Sequence, residues 1–105
     1  MVPLADIEQL AGKIAREFHP EKIILFGSHA RGTAGPDSDV DLLVVVPFDG
    51  NPFWKSVEIL NRVNAPFSLD LLARCPDDTA RRYTLGDPLI REAIDDGRVL
   101  YERSR

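Results

Sequence analysis

Cysteine is almost missing from this chain. Cys75 stands alone among 105 residues, so no internal disulfide can form and the fold must rest on its hydrophobic core. Long apolar runs are missing as well. No stretch approaches the roughly 20 residues needed to span a bilayer, and the amino terminus lacks the basic segment and apolar core of a secretory signal. The expectation is a cytoplasmic protein that makes no membrane contact. There is no basic excess either: 13 Lys and Arg face 17 Asp and Glu, for a net charge of −4. Proteins that grip nucleic acid by its backbone do so through many Lys and Arg contacts, so direct nucleic-acid binding is not expected. Internal repeats and low-complexity tracts are also lacking. With 44% hydrophobic and 29% charged residues the chain has the balance of an ordinary globular protein, and its length suits one domain over residues 1–105. That leaves no room for a second domain with its own substrate site, so substrate selection must be simple or shared with a partner.

What is present reads as alternating helices and strands. Leu4, Ile7, Leu10, Ala11, Ile14 and Phe18 recur at three- and four-residue steps, with Pro3 near the first turn and Pro20 beyond the last. KIILF (22–26) and DVDLLVVV (39–46) read as central strands, and FSLDLLA (67–73) as a third. Between the last two, Phe53, Trp54, Val57, Leu60 and Val63 carry a helical pattern. A polar stretch follows Cys75-Pro76. Asp87 then caps a helix that begins at Pro88 and ends at Gly97, and VLYE adds a short final strand. The predicted architecture is α/β (α+β), a small mixed sheet with flanking helices.

The stretch FGSHARGTAGPDSDVDLLVVV (26–46) does not fit a plain burial pattern. Strand alternation puts Val40, Leu42, Val44 and Val46 on one face and Asp39, Asp41, Leu43 and Val45 on the other. Two carboxylates pointing the same way repel, and near a core the repulsion pushes protons onto them. A divalent cation between them removes that penalty, and an all-oxygen ligand set suits a hard ion such as Mg²⁺. The competing reading ends a turn at Asp39 and leaves Asp41 facing solvent. Upstream, Gly27-Ser28 directly follows the first strand. Glycine admits a close ligand, and the freed amides with the Ser28 hydroxyl can hold phosphate oxygens, or Ser28 can simply cap a short helical turn.

Gly-Ser at a strand end, ten intervening residues and Asp-x-Asp opening the next strand together resemble the nucleotidyltransferase fold typified by DNA polymerase beta. The stretch is most similar to the minimal nucleotidyltransferases, the MntA-type antitoxins paired with HEPN-type toxins in prokaryotes. The resemblance takes in most of the chain, including the leading helix and the closing GRVLYE. It implies that Gly27 and Ser28 bind the triphosphate and that Asp39 and Asp41 hold the metal. It also implies that Asp70, within SLDLLA, is the third carboxylate, joining the metal set and activating the attacking hydroxyl. Two Mg²⁺ ions and ATP as substrate are expected. Arg31 fits the pattern, either neutralising phosphate or fixing the turn's shape. Asp77 and Asp78 are poorer candidates than Asp70, and His29 receives no role.

Two functions follow from the resemblance. In the first, the protein is a Mg²⁺-dependent adenylyltransferase that moves AMP from ATP onto a hydroxyl, expected to be a tyrosine, of a HEPN-type toxin and so acts as its antitoxin. In the second, a non-catalytic antitoxin of the same fold neutralises the partner by binding. A small-molecule nucleotidyltransferase is disfavoured, because such enzymes use an added domain as a substrate wall. A homodimer or a hetero-oligomer fits either function.

Overall fold

The computed structural model describes residues 1–104. Its elements run α1 (Leu4–Phe18), β1 (Lys22–Phe26), α2 (Ser28–Arg31), β2 (Val40–Val45), α3 (Pro52–Val63), β3 (Leu69–Arg74), α4 (Pro76–Thr84), α5 (Pro88–Asp96) and β4 (Arg98–Glu102). The strands form a single sheet in the order β3-β2-β1-β4. β1 is antiparallel to β2 and β4, while β2 and β3 run parallel, so the sheet is mixed as expected.

Local chemistry sets the element ends. α1 buries Ile7, Leu10, Ala11 and Ile14 and stops at His19, which turns left-handed at φ 51° just before Pro20. The Asn51 side chain accepts the Phe53 N–H at 2.8 Å and Pro52 occupies the first position of α3. The Asp87 carboxylate accepts the N–H groups of Leu89 and Ile90 at 3.0 and 3.2 Å, which starts α5 at Pro88.

The sheet is covered on both faces. Val40, Leu42 and Val44, with Ile23 and Leu25, pack against Ile14 of α1 and Ile59 of α3. Leu43, Val45, Ile24 and Phe26 pack against Ile90 and Ala93 of α5. β2 is therefore buried on both sides, which is why its sequence runs almost continuously apolar until the aspartates.

Two helices depart from a plain apolar stripe. The polar stretch after Cys75 is α4, a helix that buries only Thr79 and shows no apolar stripe; Asp78 holds it locally by bonds to Arg81 at 2.7 Å and Arg82 at 2.9 Å. α3 buries only part of its apolar pattern. Ser56, Ile59 and Val63 are buried, whereas Phe53 and Trp54 are 62% and 66% exposed and stack edge to face at 4.9 Å. No helix among the described residues is long and apolar enough to cross a membrane.

Candidate active site

The site forms where the end of β1 meets the starts of β2 and β3. Phe26 lies opposite Asp41 in the β1–β2 register, and Asp41 lies opposite Asp70 in the parallel β2–β3 register. Gly27, Asp41 and Asp70 are thus brought side by side from positions far apart in sequence. Asp41 and Asp70 share the face that also bears Leu43 and Leu72, as the alternation requires. A cavity of about 310 Å³ opens there, and Gly27, Ser28, Arg31, Asp41, Asp70 and Glu92 contribute to its lining. Asp39 does not line it. That carboxylate is exposed, and its Oδ1 accepts the Ser68 hydroxyl at 2.5 Å, leaving Oδ2 for another ligand.

Gly27 is dictated by this packing. Its backbone has φ 73° and ψ −155°, a region that side chains rarely adopt, and a Cβ there would collide with Oδ2 of Asp41. Its carbonyl accepts the N–H groups of Ala30 and Arg31 at 3.1 Å each, and α2 closes at Gly32, φ 76°. Gly27, not Ser28, holds the cap position, and no side chain caps the helix, so Ser28 does not serve as the cap. Its hydroxyl makes no hydrogen bond to another described residue.

Burial pushes the Asp41 carboxyl above the ordinary carboxylate range. Asp70, Asp39 and Glu92 push the same way in decreasing order. The crowding reveals a local excess of negative charge that a cation would relieve. Among the described residues no three His, Cys, Asp or Glu side chains are already gathered closely enough to hold one ion. What fits Mg²⁺ is the donor chemistry, carboxylate oxygens beside an open cavity that leaves room for water and phosphate ligands.

Sequence reasoning missed two residues. His29 is not a solvated bystander: Nε2 accepts the Val2 N–H at 3.2 Å, so Nδ1 carries the proton and donates to the Asp39 carbonyl at 3.1 Å. The ring ties the start of the chain to the backbone of Asp39. Glu92 of α5 pairs with Arg31 at 3.1 Å, both half-exposed, so Arg31 reaches across to the helix instead of folding onto its own turn. Nothing in the local sequence signals a partner 61 residues away. Asp77 and Asp78 sit on α4 and do not line the cavity. A larger cavity, about 570 Å³, lies at the opposite end of β1 beside Lys22, Val45 and Thr79, where none of the motif residues reaches it.

A mixed sheet that gathers a Gly-Ser turn and carboxylates from adjacent strands around one cavity defines a nucleotidyltransferase fold. The comparisons agree: the nucleotidyltransferase domain family matches residues 7–101, and this chain belongs to that family of enzymes. It is 30% identical over 81 residues to a candidate protein adenylyltransferase of Methanocaldococcus jannaschii, covering 77% of this chain and 78% of that protein. Among solved structures, a candidate nucleotidyltransferase from Sulfolobus solfataricus superposes with TM-score 0.67 at 21% identity, over 95% of this chain and 80% of that one. A toxin–antitoxin structure with AMP-PNP gives TM-score 0.60 at 20% identity, and an MntA–HpeT toxin–antitoxin mutant 0.56 at 17%. Each of these two covers 92% of this chain and 74% of its own. These superpositions carry the fold.

Proposed function

We propose that this enzyme transfers AMP from ATP to a tyrosine hydroxyl of a HEPN-type toxin partner and thereby acts as its antitoxin. The observation that carries the reading is the cavity shared by Gly27, Ser28, Asp41 and Asp70, with Asp41 made hard to ionise by burial and then by neighbouring carboxylates. Gly27 and Ser28 bind the triphosphate, and Arg31 neutralises part of its charge. Asp39, Asp41 and Asp70 would hold Mg²⁺, two ions in the full site. The bound metal would supply neutralisation of the charge that develops on the reacting phosphate. Asp70 also takes the proton from the attacking hydroxyl as that oxygen bonds to the α-phosphorus and pyrophosphate leaves.

Two further observations favour a protein acceptor. The relative in M. jannaschii is named a candidate protein adenylyltransferase. Two structural neighbours are toxin–antitoxin proteins, one of them solved with AMP-PNP. The exposed Phe53–Trp54 pair supports a second reading, neutralisation by binding alone, because it offers apolar contact area independent of the cavity. Mixing the purified toxin partner with this protein, ATP and Mg²⁺ and weighing the partner separates the two. Adenylate increments, absent with Asp39→Asn, support transfer; an inhibited partner of unchanged mass supports occlusion.

A further inference from the structure

Asp70 stands on an edge strand, because β3 pairs with β2 on one side and with no described strand on the other. The parallel pairing uses the backbone of the even-numbered residues. Val40 N–H donates to the Ser68 carbonyl at 3.0 Å, and Val46 N–H to the Arg74 carbonyl at 2.9 Å. The N–H and C=O groups of Leu69, Leu71 and Ala73 therefore point outward from the sheet. At Ala73 both are used within the chain: the N–H donates to Ser56 Oγ and the carbonyl accepts from Arg74 Nη1, each at 2.9 Å. At Leu69 and Leu71 they meet no partner among the described residues, so the edge is closed at one end and open beside Asp70.

A cavity of about 450 Å³ runs along that open stretch. Its lining takes in Leu69 and Leu71, which face α3, as well as Asp70 and Leu72, which face the other way. A space that touches both faces of a strand lies along its edge. Phe53 and Val57 of α3 form one wall. Arg74 also lines the cavity; its Nε is buried with no hydrogen-bond partner among the described residues.

We propose that this edge receives an extended segment of the acceptor protein as an added strand, which delivers its hydroxyl to Asp70. The inference rests on the proposed transfer to a protein hydroxyl and identifies how the acceptor is held. A donor and an acceptor repeated at alternate residues, Leu69 and Leu71, match another main chain. Pairing there puts one residue of the added strand directly opposite Asp70, with its side chain on Asp70's face and its Cβ about 4.5–5.5 Å from that of Asp70. Its two neighbours turn toward Phe53 and Val57 and are apolar. Farther along, toward Arg74, the segment carries a carboxylate that complements the arginine's charge. The chemistry is unchanged: the hydroxyl oxygen bonds to the α-phosphorus of ATP, the bond from that phosphorus to pyrophosphate breaks, and the hydroxyl proton passes to Asp70.

The test uses the full-length protein, its purified toxin partner, ATP and Mg²⁺. Leu69→Pro removes one outward N–H at the first residue of the strand, a position that accepts proline. AMP transfer to the partner is expected to fall about tenfold, as for losing one backbone hydrogen bond with its alignment, while AMP-PNP affinity stays at the wild-type value. In the wild type, hydrogen exchange at the Leu71 amide should slow when the partner binds. Wild-type transfer by a folded Leu69→Pro protein, or Leu71 exchange unaffected by the partner, overturns the edge proposal and leaves AMP transfer standing. If the proline variant does not fold, the exchange measurement decides. A wild-type protein that modifies no protein hydroxyl overturns both.

Discussion

Asp41 and Asp70 lie in register on adjacent parallel strands, with Gly27, just past the end of β1, closing over Asp41. Burial, and after it the neighbouring Asp70 and Asp39 carboxylates, raise the cost of ionising Asp41. The arrangement opposes ionisation of Asp41, which is the penalty the proposed cation would relieve.

Asp41→Asn should therefore abolish transfer without harming the fold. Loss of this proposed metal ligand should remove several kcal/mol of transition-state stabilisation, on the order of a hundredfold or more in rate. The melting temperature in chelator should stay the same or rise. A variant that unfolds instead would make Asp41 a structural residue.

The pH dependence has a definite sign. The folded-state pKa of Asp41 lies above its unfolded value of 3.8, so between the two the folded state holds a proton that the unfolded chain has released. Stability conferred by that proton is lost as pH rises through the raised pKa. In chelator, urea midpoints of wild type and Asp41→Asn should converge near pH 3.5 and separate toward neutrality, with the asparagine variant the more stable. Mg²⁺ should narrow the gap at neutral pH by binding only the folded wild type.

Ser28→Ala tests the turn. Backbone amides remain to hold phosphate, so one neutral hydrogen bond is at stake, about 0.5–1.5 kcal/mol or roughly a two- to tenfold loss of kcat/KM for ATP. Because the hydroxyl caps nothing in the fold, thermal stability should be unchanged. A stability loss with full activity would assign Ser28 to structure.

His29→Ala should reduce both stability and rate, since it severs the ties to Val2 and to the Asp39 carbonyl. Each tie is worth about 0.5–1.5 kcal/mol in a melting experiment. Wild-type stability and rate in this variant would return His29 to the solvated role that its sequence suggested.

Most of this site was legible in the sequence because its parts are adjacent or fixed by strand alternation. Gly27-Ser28 and Asp39-x-Asp41 are local patterns, and the period of two already put the aspartates opposite Val40 and Leu42. Asp70 was legible only through resemblance, because its pairing with Asp41 depends on a register that periodicity alone does not set. Glu92 and the tie from His29 to Val2 were illegible, being contacts between distant segments with no pattern of their own. The helix at Pro76–Thr84 escaped for a related reason: charged side chains hold it, so the apolar stripe that marks α1 is missing. Phe53 and Trp54 belong to the α3 pattern by spacing, yet the fold turns both to solvent.

Transfer of AMP to a protein is tested most directly by isotopic labelling. The toxin partner is incubated with this protein, Mg²⁺ and ATP labelled at either the α- or the γ-phosphate, then separated under denaturing conditions. The account predicts that the α-label stays on the partner, the γ-label does not, and Asp41→Asn transfers neither. Retention of the γ-label, or of no label by a partner that is nevertheless inhibited, would contradict it.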